Sequence, residues 1–397
     1  MLPAPRRRAE LVEGPGVGSN RIAGVAPGLT VLPVRGVWCG YSAVVPADAR
    51  PAPVVLGSWP TPLEPAPRLA AAVGLAADAL WVKRDDLSGL GAGGNKVRKL
   101  QYTCAQALAA GATTVITSGA PQSNHAQLTA AAAARLGLRS VLVLQGEEPE
   151  VPAGNLVLDL LAGARLVWTG PATAEQTRRE VQRQADQVRQ DGGIPHVIPF
   201  GGSNSCAAQA YVDGSGELLA QLPDLDHVIV AFGSGATMAG LVAGLGADRV
   251  TGIDTGAVAD PSATLNELLD GMPDVRVRRA DLQLDDGQVG AGYAAVTPAA
   301  LAAMRLAART EGIFLDPTYT ARALAGLIAR VAGGSIKHGD RTVFMHTGGL
   351  PGLFGHPGLP RCWLRLRGGG RGGAGSQTGD EGVQDRVGLG PGGGRLR

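Results

Sequence analysis

Gly93-Gly94-Asn95-Lys96-Val97-Arg98-Lys99-Leu100 decides how this chain is read. It follows Leu80-Trp81-Val82-Lys83-Arg84-Asp85-Asp86, a β-type run ending in charges, and leads into an apolar spacing through Leu100, Cys104 and Leu108 that predicts a helix. A lysine at a helix mouth, behind small residues, suits capture of an aldehyde cofactor as a Schiff base. The glycines let the backbone approach a flat ring. The helix N-terminus and the neighbouring cations favour the neutral amine and attract phosphate. A glycine turn capping a helix, with a solvated lysine, accounts for these eight residues as well, so the reading depends on the rest of the chain.

Outward from this stretch the pattern alternates. Short β-rich runs fall at Thr114-Val115-Ile116-Thr117, Ser140-Val141-Leu142-Val143-Leu144, Val228-Ile229-Val230-Ala231 and Thr342-Val343-Phe344-Met345. Ala- and Leu-rich stretches between them predict helices at 123–137, 154–162, 173–190, 236–246, 298–311 and 320–331. Buried-type strands alternating with helices imply an α/β fold with parallel sheets covered on both faces, whose sites sit at the carboxyl ends of the strands.

Four more motifs fall at such junctions. Thr117-Ser118-Gly119-Ala120-Pro121-Gln122-Ser123-Asn124-His125 opens a long helix, where Ser123 or Asn124 caps the first turn and places polar groups and free amides before a substrate carboxylate. Plain N-capping explains the same residues. Phe232-Gly233-Ser234-Gly235-Ala236-Thr237-Met238-Ala239-Gly240 would cradle a phosphate with backbone amides and the Ser234 and Thr237 hydroxyls. A dinucleotide fingerprint competes, because Asp254 lies where a ribose-binding acid belongs. Met238 in the third glycine position argues against it, since its side chain would obstruct helix–strand packing, and a Walker lysine is missing. Leu315-Asp316-Pro317-Thr318-Tyr319-Thr320 and His346-Thr347-Gly348-Gly349-Leu350-Pro351-Gly352-Leu353-Phe354 read individually as turn-and-cap chemistry, and Gly292-Tyr293 sets an aromatic on flexible backbone.

Composition bounds the answer. The 397 residues suffice for two packed domains, and 45% apolar content supports a real core. A net charge of +2 with interspersed charges points to neither nucleic acid nor an anionic membrane, and Arg6-Arg7-Arg8 reads as a flexible terminus. Cys39, Cys104, Cys206 and Cys362 lie far apart without metal or redox spacing, which fits a reducing compartment and leaves no metal site. No apolar run reaches membrane-spanning length, so a soluble cytoplasmic protein is the expectation. Residues 1–50 lack sustained periodicity, and 356–397 become Gly- and Arg-rich, so both ends are expected to be disordered.

Together and in this order, from about Leu56 to Phe354, the motifs resemble the pyridoxal-phosphate enzymes of the 1-aminocyclopropane-1-carboxylate deaminase/D-cysteine desulfhydrase family. The resemblance implies a tryptophan-synthase-β-like fold (fold type II) with two three-layer α/β domains. The larger would be built from 51–98 and 208–355 and the smaller from 99–207, with pyridoxal 5′-phosphate between them. It implies that Lys96 is the Schiff-base lysine with Asn95 beside it, and that Ser123, Asn124 and His125 hold the substrate carboxylate and assist proton transfer. Gly233, Ser234, Gly235, Ala236 and Thr237 would be the phosphate loop, and Tyr293 and Tyr319 the active-site tyrosines. Pro199-Phe200-Gly201-Gly202-Ser203-Asn204 resembles a family segment at the return to the larger domain. A homodimer acting on a small amino acid is implied as well.

Thr320 separates the branches. The cyclopropane deaminases carry Glu against the pyridine nitrogen, a strong electron sink suited to ring opening. A threonine hydroxyl gives a neutral hydrogen bond and a weaker sink, which suits expulsion of a leaving group from Cβ. The resemblance thus implies β-elimination from D-cysteine to pyruvate, sulfide and ammonia, with cysteate-like or β-chloroalanine-like substrates in the same class. The departures from the pattern are Ala236, tolerable in place of Gly only with negative φ, the Ser205-Cys206-Ala207-Ala208 run, and residues 245–290.

Overall fold

The computed structural model describes residues 51–272 and 275–359. The expectations for residues 1–50, and for the tail beyond Leu359, lie outside the described residues. His356 to Leu359 are described: they close a turn that buries Leu359.

The chain opens with β1 (Leu63–Pro65), α1 (Pro67–Val73), β2 (Leu80–Lys83) and α2 (Lys96–Ala109). Four strand–helix steps follow: β3 (Thr114–Gly119), α3 (Asn124–Leu136), β4 (Arg139–Leu144), α4 (Asn155–Leu161), β5 (Arg165–Trp168), α5 (Ala174–Gln190), β6 (Pro195–Val197) and α6 (Ser205–Gln221). Then come β7 (His227–Phe232), α7 (Ala236–Leu245), β8 (Val250–Asp254), α8 (Pro261–Asp270) and β9 (Gln283–Asp285). The described chain closes with α9 (Pro298–Glu311), α10 (Thr320–Ala332), β10 (Thr342–Met345) and α11 (Leu350–Gly355). The six helices expected from apolar spacing form within about a residue of their expected ends.

Two sheets result. One has the order β1-β2-β10-β7-β8-β9, parallel except for the β1–β2 pair, and the other is the parallel sheet β5-β4-β3-β6. Side-chain alternation along β7 explains why the larger sheet is covered on both faces. Ile229 and Ala231 pack with α1, α9 and α10, while Val228, Val230 and Phe232 pack with α6, α7 and α8. In the smaller sheet Ile116, Val141 and Val143 face α5, and Val115, Leu142 and Leu144 face α2, α3 and α4.

Met238 does not obstruct helix–strand packing as the sequence led us to expect. The room is made on the strand: a Cβ at Gly252 of β8 would lie 2.3 Å from Met238 Sδ. The missing third glycine of the fingerprint is thus compensated by a glycine opposite. Gly252→Ala should overpack this contact and destabilise the fold by about 1–3 kcal/mol. Adding Met238→Ala should recover part of that loss, measured as a double-mutant cycle in urea denaturation. Independent, additive losses would show that the two side chains do not share the space.

Candidate functional site

The carboxyl ends of both sheets turn toward one narrow slot. It is lined by the mouth of α2 (Asn95, Lys96, Lys99), the mouth of α3 (Ser123, Asn124, His125) and the loop before α7 (Gly233 to Thr237), and also by Gly201, Tyr293, Tyr319 and Thr347. Of the residues singled out from the sequence, Lys96, Asn95, Ser123, Asn124, His125, Gly233, Ser234, Gly235, Thr237, Tyr293 and Tyr319 all line it. Ala236 is buried as the first residue of α7, and the positive φ falls instead on Gly235 (88°), so the methyl meets the condition set for it.

Glycines 93 and 94 serve close approach. A Cβ on Gly93 would sit 1.8 Å from the Asp86 carbonyl oxygen, and one on Gly94 would sit 2.9 Å from that of Thr347. The Asn95 amide donates to that same Thr347 carbonyl (3.0 Å), and the Asn95 Nδ2 donates to Thr237 Oγ1 (3.0 Å), so the lysine segment is tied to the turn after β10 and to the phosphate-type loop. His346 Nε2 pairs with the Phe314 carbonyl (3.1 Å) and Nδ1 with the Gly348 amide (3.3 Å), a pattern that one neutral tautomer satisfies and that fixes the turn carrying Thr347.

Lys96 and Lys99, one helical turn apart, both donate to the Gly201 carbonyl, at 3.1 and 2.8 Å. Lys99 also donates to Ser203 Oγ (3.1 Å), which shares a hydrogen bond with Ser234 Oγ (2.7 Å). Among the described residues no carboxylate accompanies either amine. Desolvation lowers the Lys96 amine to about 8, and burial together with the charge of Lys96 holds Lys99 well below the usual lysine range. Two amines in one desolvated site, facing hydroxyls and a helix mouth, form a place for an anion and a neutral nucleophile.

The cation between them is treated differently. Arg98 donates to Asp85 (3.0 Å) and Glu217 (2.7 Å) and stacks over Trp59, its guanidinium carbon 4.0 Å from the ring centroid. Lys83 donates to Glu217 (2.5 Å), and Thr61 and Tyr211 hydroxyls donate to Asp85 (2.8 and 2.5 Å). Burial pushes the Glu217 carboxyl up, but Arg98 and Lys83 outweigh it and hold it at about 2. This network fastens the start of α2.

Ser123 both caps and lines. Its Oγ accepts from the Ala126 amide (3.2 Å) while the residue faces the slot, so the two readings of its motif coexist. His125 is buried with Nε2 against Thr117 Oγ1 (2.9 Å), and desolvation and the two lysine charges keep it neutral. The Tyr293 and Tyr319 hydroxyls meet at 2.6 Å with rings edge to face, and burial raises both phenols, so both keep their protons at neutral pH. Fully buried Arg322 supports Tyr293 by donating to the carbonyls of Thr255, Gly292 and Ala295 (2.5, 2.7 and 2.6 Å).

Thr320 stands apart from the slot. It is fully buried, and its hydroxyl is held by Asp316, at 2.6 Å from Oδ1 and 2.9 Å from the Asp316 amide. The threonines that do line the slot are Thr237 and Thr347. Asp254, the acid of the competing fingerprint, accepts from the Gly256 amide (2.9 Å) and is not part of the lining. Sequence reasoning missed Lys99, Gly201, Ser203 and Thr347. Gly201, Ser203 and Thr347 lay in motifs already quoted but given no site role, and Lys99 carried its own signal, the i,i+3 spacing from Lys96, which puts both on one helix face.

Removing one partner of the buried network should be costly. Asp85→Asn should destabilise the fold by about 3–5 kcal/mol in urea denaturation, because Arg98 loses a buried counter-charge. A loss below about 1 kcal/mol would show that the network does not fasten α2.

Comparison with known proteins agrees with this geometry. The family described as "Pyridoxal-phosphate dependent enzyme" matches residues 54–348. A Pyrococcus abyssi protein provisionally named 1-aminocyclopropane-1-carboxylate deaminase is 36% identical over 313 residues, covering 76% of this chain and 92% of its own. A D-cysteine desulfhydrase of Klebsiella pneumoniae (strain 342) is 37% identical over 317 residues, covering 76% and 95%. A crystal structure titled as an ACC deaminase homologue superposes with a TM-score of 0.72 at 34% identity over 80% of this chain and 97% of that one. The residues present suit a flat anionic aldehyde: an amine of lowered basicity at Lys96, the Ser234 and Thr237 hydroxyls at an open helix mouth, and apolar Ala231 and Met238 in the wall. With its motifs, sheets and relatives in agreement, the chain belongs to the fold-type-II pyridoxal-phosphate-dependent enzymes, in the 1-aminocyclopropane-1-carboxylate deaminase/D-cysteine desulfhydrase family.

Proposed function

We propose that the chain catalyses β-elimination from a small amino acid, with D-cysteine and water giving pyruvate, hydrogen sulfide and ammonia. One observation carries the choice of branch: among the described residues lining the slot there is no Asp or Glu. Thr320 also occupies the position at which the resemblance places Glu in the cyclopropane deaminases. The named relatives weigh about equally on either side, at 36 and 37% identity.

Pyridoxal phosphate, when bound, supplies the electron sink for negative charge developing at the substrate Cα. The protein's part is to hold and move protons around it. Ser234 and Thr237, with the α7 amides and Lys99, bind the phosphate. Ser123 and Asn124, with the open amides of α3, bind the substrate carboxylate. Lys96, a neutral amine at moderate pH, or a relay through Ser123 and the tyrosine pair, takes the α-proton. Tyr293 and Tyr319, both protonated, donate toward the leaving group. A wall of hydroxyls without a carboxylate leaves the ring a weaker sink, which favours loss of a Cβ substituent over opening of a cyclopropane. We place the enzyme in the cytoplasm as a homodimer, in keeping with its dispersed cysteines and its family.

The test is an absorbance scan of the purified protein with pyridoxal phosphate, followed by addition of D-cysteine, L-cysteine or 1-aminocyclopropane-1-carboxylate. A visible band, with sulfide and pyruvate released from D-cysteine, is expected, and Lys96→Ala should remove the band and lower turnover by at least a thousandfold, of the order a covalent nucleophile contributes. Turnover of the cyclopropane amino acid alone would overturn the branch assignment. A band without turnover of any of the three would mark an inactive cofactor-binding paralogue.

A further inference from the structure

Each sheet contains a point at which the strand order reverses. In the larger sheet β7 winds through α7 to β8, while β10 lies on the other side of β7. The slot opens at that junction, between Thr347 after β10 and the loop before α7. In the smaller sheet β3 winds through α3 to β4 and on to β5, and α5 then returns the chain to β6 on the far side of β3. Ligands of open parallel sheets bind in the crevice outside the carboxyl ends of the strands at such a reversal. A cavity of about 740 Å³ lies at this second crevice, with Ser118 and Gly119 at the end of β3 and Val197 and Ile198 at the end of β6 in its wall. Its size is within the range of roughly 300–1,000 Å³ found for sites that enclose organic ligands. The proposed reaction makes no use of it.

The lining describes the occupant. Val181 and Pro199, with Val258 and Ala259 from the loop after β8, supply apolar surface, and Val197 and Phe200 join them although both are exposed. The polar side chains are held within the protein. Gln145 Nε2 donates to Thr177 Oγ1 (3.1 Å), Thr177 Oγ1 to the Thr173 carbonyl (3.0 Å) and Gln182 Nε2 to Asp186 (3.0 Å). Among the described residues that line the cavity, Arg178 is the one charged side chain. Its partner Glu175 (2.6 Å) is a neighbour on the same exposed helix face, and such a solvated pair competes weakly with a further carboxylate. An anion thus meets one cation, whereas an ammonium group would meet like charge and lose its water.

From this crevice and its lining we infer a second binding site, an effector site for an apolar monocarboxylate, whose hydrocarbon body lies between the 197–200 segment and the 257–259 loop with its carboxylate on Arg178. The inference is independent of the β-elimination reading. Phe200 and Ala257 line both the cavity and the slot, and Phe200 leads into Gly201, whose carbonyl accepts from Lys96 and Lys99. A body held between these two walls favours their present separation over any narrower one. The occupied site therefore lowers turnover without displacing cofactor or amino acid.

The test is calorimetric titration of the full, cofactor-loaded chain with straight-chain carboxylates from butanoate to octanoate, with octylammonium as the oppositely charged control. Each added methylene should tighten binding about fourfold, as expected for moving one CH₂ out of water. Octylammonium should not bind. Arg178→Gln should weaken octanoate at least fivefold, and Ala259→Trp, which fills the mouth from an exposed position, at least tenfold. Both variants should keep the visible cofactor band and, without octanoate, the wild-type kcat/KM. In wild type, saturating octanoate should lower kcat at least twofold with KM unchanged. Equal binding of octanoate by wild type and both variants would overturn the site. So would binding only to protein freed of cofactor, which would put the carboxylate in the slot. Tight binding with kcat unchanged would overturn the effector role. An affinity that falls as protein concentration rises would overturn the assignment in favour of a second copy of the chain as occupant.

Discussion

Three basic side chains, Lys96, Arg98 and Lys99, open helix α2 at the end where the helix dipole least favours positive charge. The fold resolves this conflict unequally. Arg98 receives Asp85 and Glu217, with Thr61, Trp59 and Tyr211 closing around them, whereas Lys96 and Lys99 share one backbone carbonyl, that of Gly201, and Lys99 adds only the neutral Ser203 hydroxyl. One ion network holds the helix in place, and the two amines beside it are left desolvated without a counter-charge. That deficit makes the slot a site for an anionic aldehyde, and it lowers Lys96 toward the range in which an amine is both present and neutral at moderate pH.

The remaining parts converge on that deficit. Gly93 and Gly94 let the lysine segment press against the turns at Asp86 and Thr347, which a side chain on either would prevent. Gly201, at φ 63°, turns its carbonyl toward both amines, and a Cβ there would strike Ser234 Oγ at 2.1 Å. The loop of Tyr293 carries no regular structure, so its position depends on the buried guanidinium of Arg322, which reaches across from α10. Sheet ends supply direction, and a few buried polar anchors supply distance.

Much of this was legible in the sequence because the strands are buried on both faces and the helices are rich in Ala and Leu, which gives clean periodicity. Helix α6 was not. Its first turn, Ser205-Cys206-Ala207-Ala208, departs from the family pattern, and Gly214 and Gly216 interrupt its face, although Asn204 caps it through the Ala207 amide (2.7 Å). Helix α8 carried the readable start Asp260-Pro261 but lies in the stretch least like the family. Met238 misled because packing is a property of two surfaces, and its partner Gly252 sits on a different element. Thr320 and Thr347 illustrate the same limit. Sequence places both at strand-to-helix turns, while the Asp316 hydrogen bonds that withdraw Thr320 from the slot depend on local geometry. The candidate site was legible as a set of motifs; the shared carbonyl of Gly201, a backbone atom, left no mark in residue identity.

The most direct test of the central claim is the titration of the Lys96 amine itself. In protein freed of cofactor and labelled with ¹³C at the lysine ε-carbons, the Lys96 resonance, assigned by its loss in Lys96→Met, should shift with a midpoint near pH 8, because burial without a carboxylate disfavours the ammonium form. A midpoint near 10.5, the ordinary lysine value, would contradict the account, since the amine would then be solvated or paired and the uneven sharing of counter-charge along α2 would have no chemical consequence.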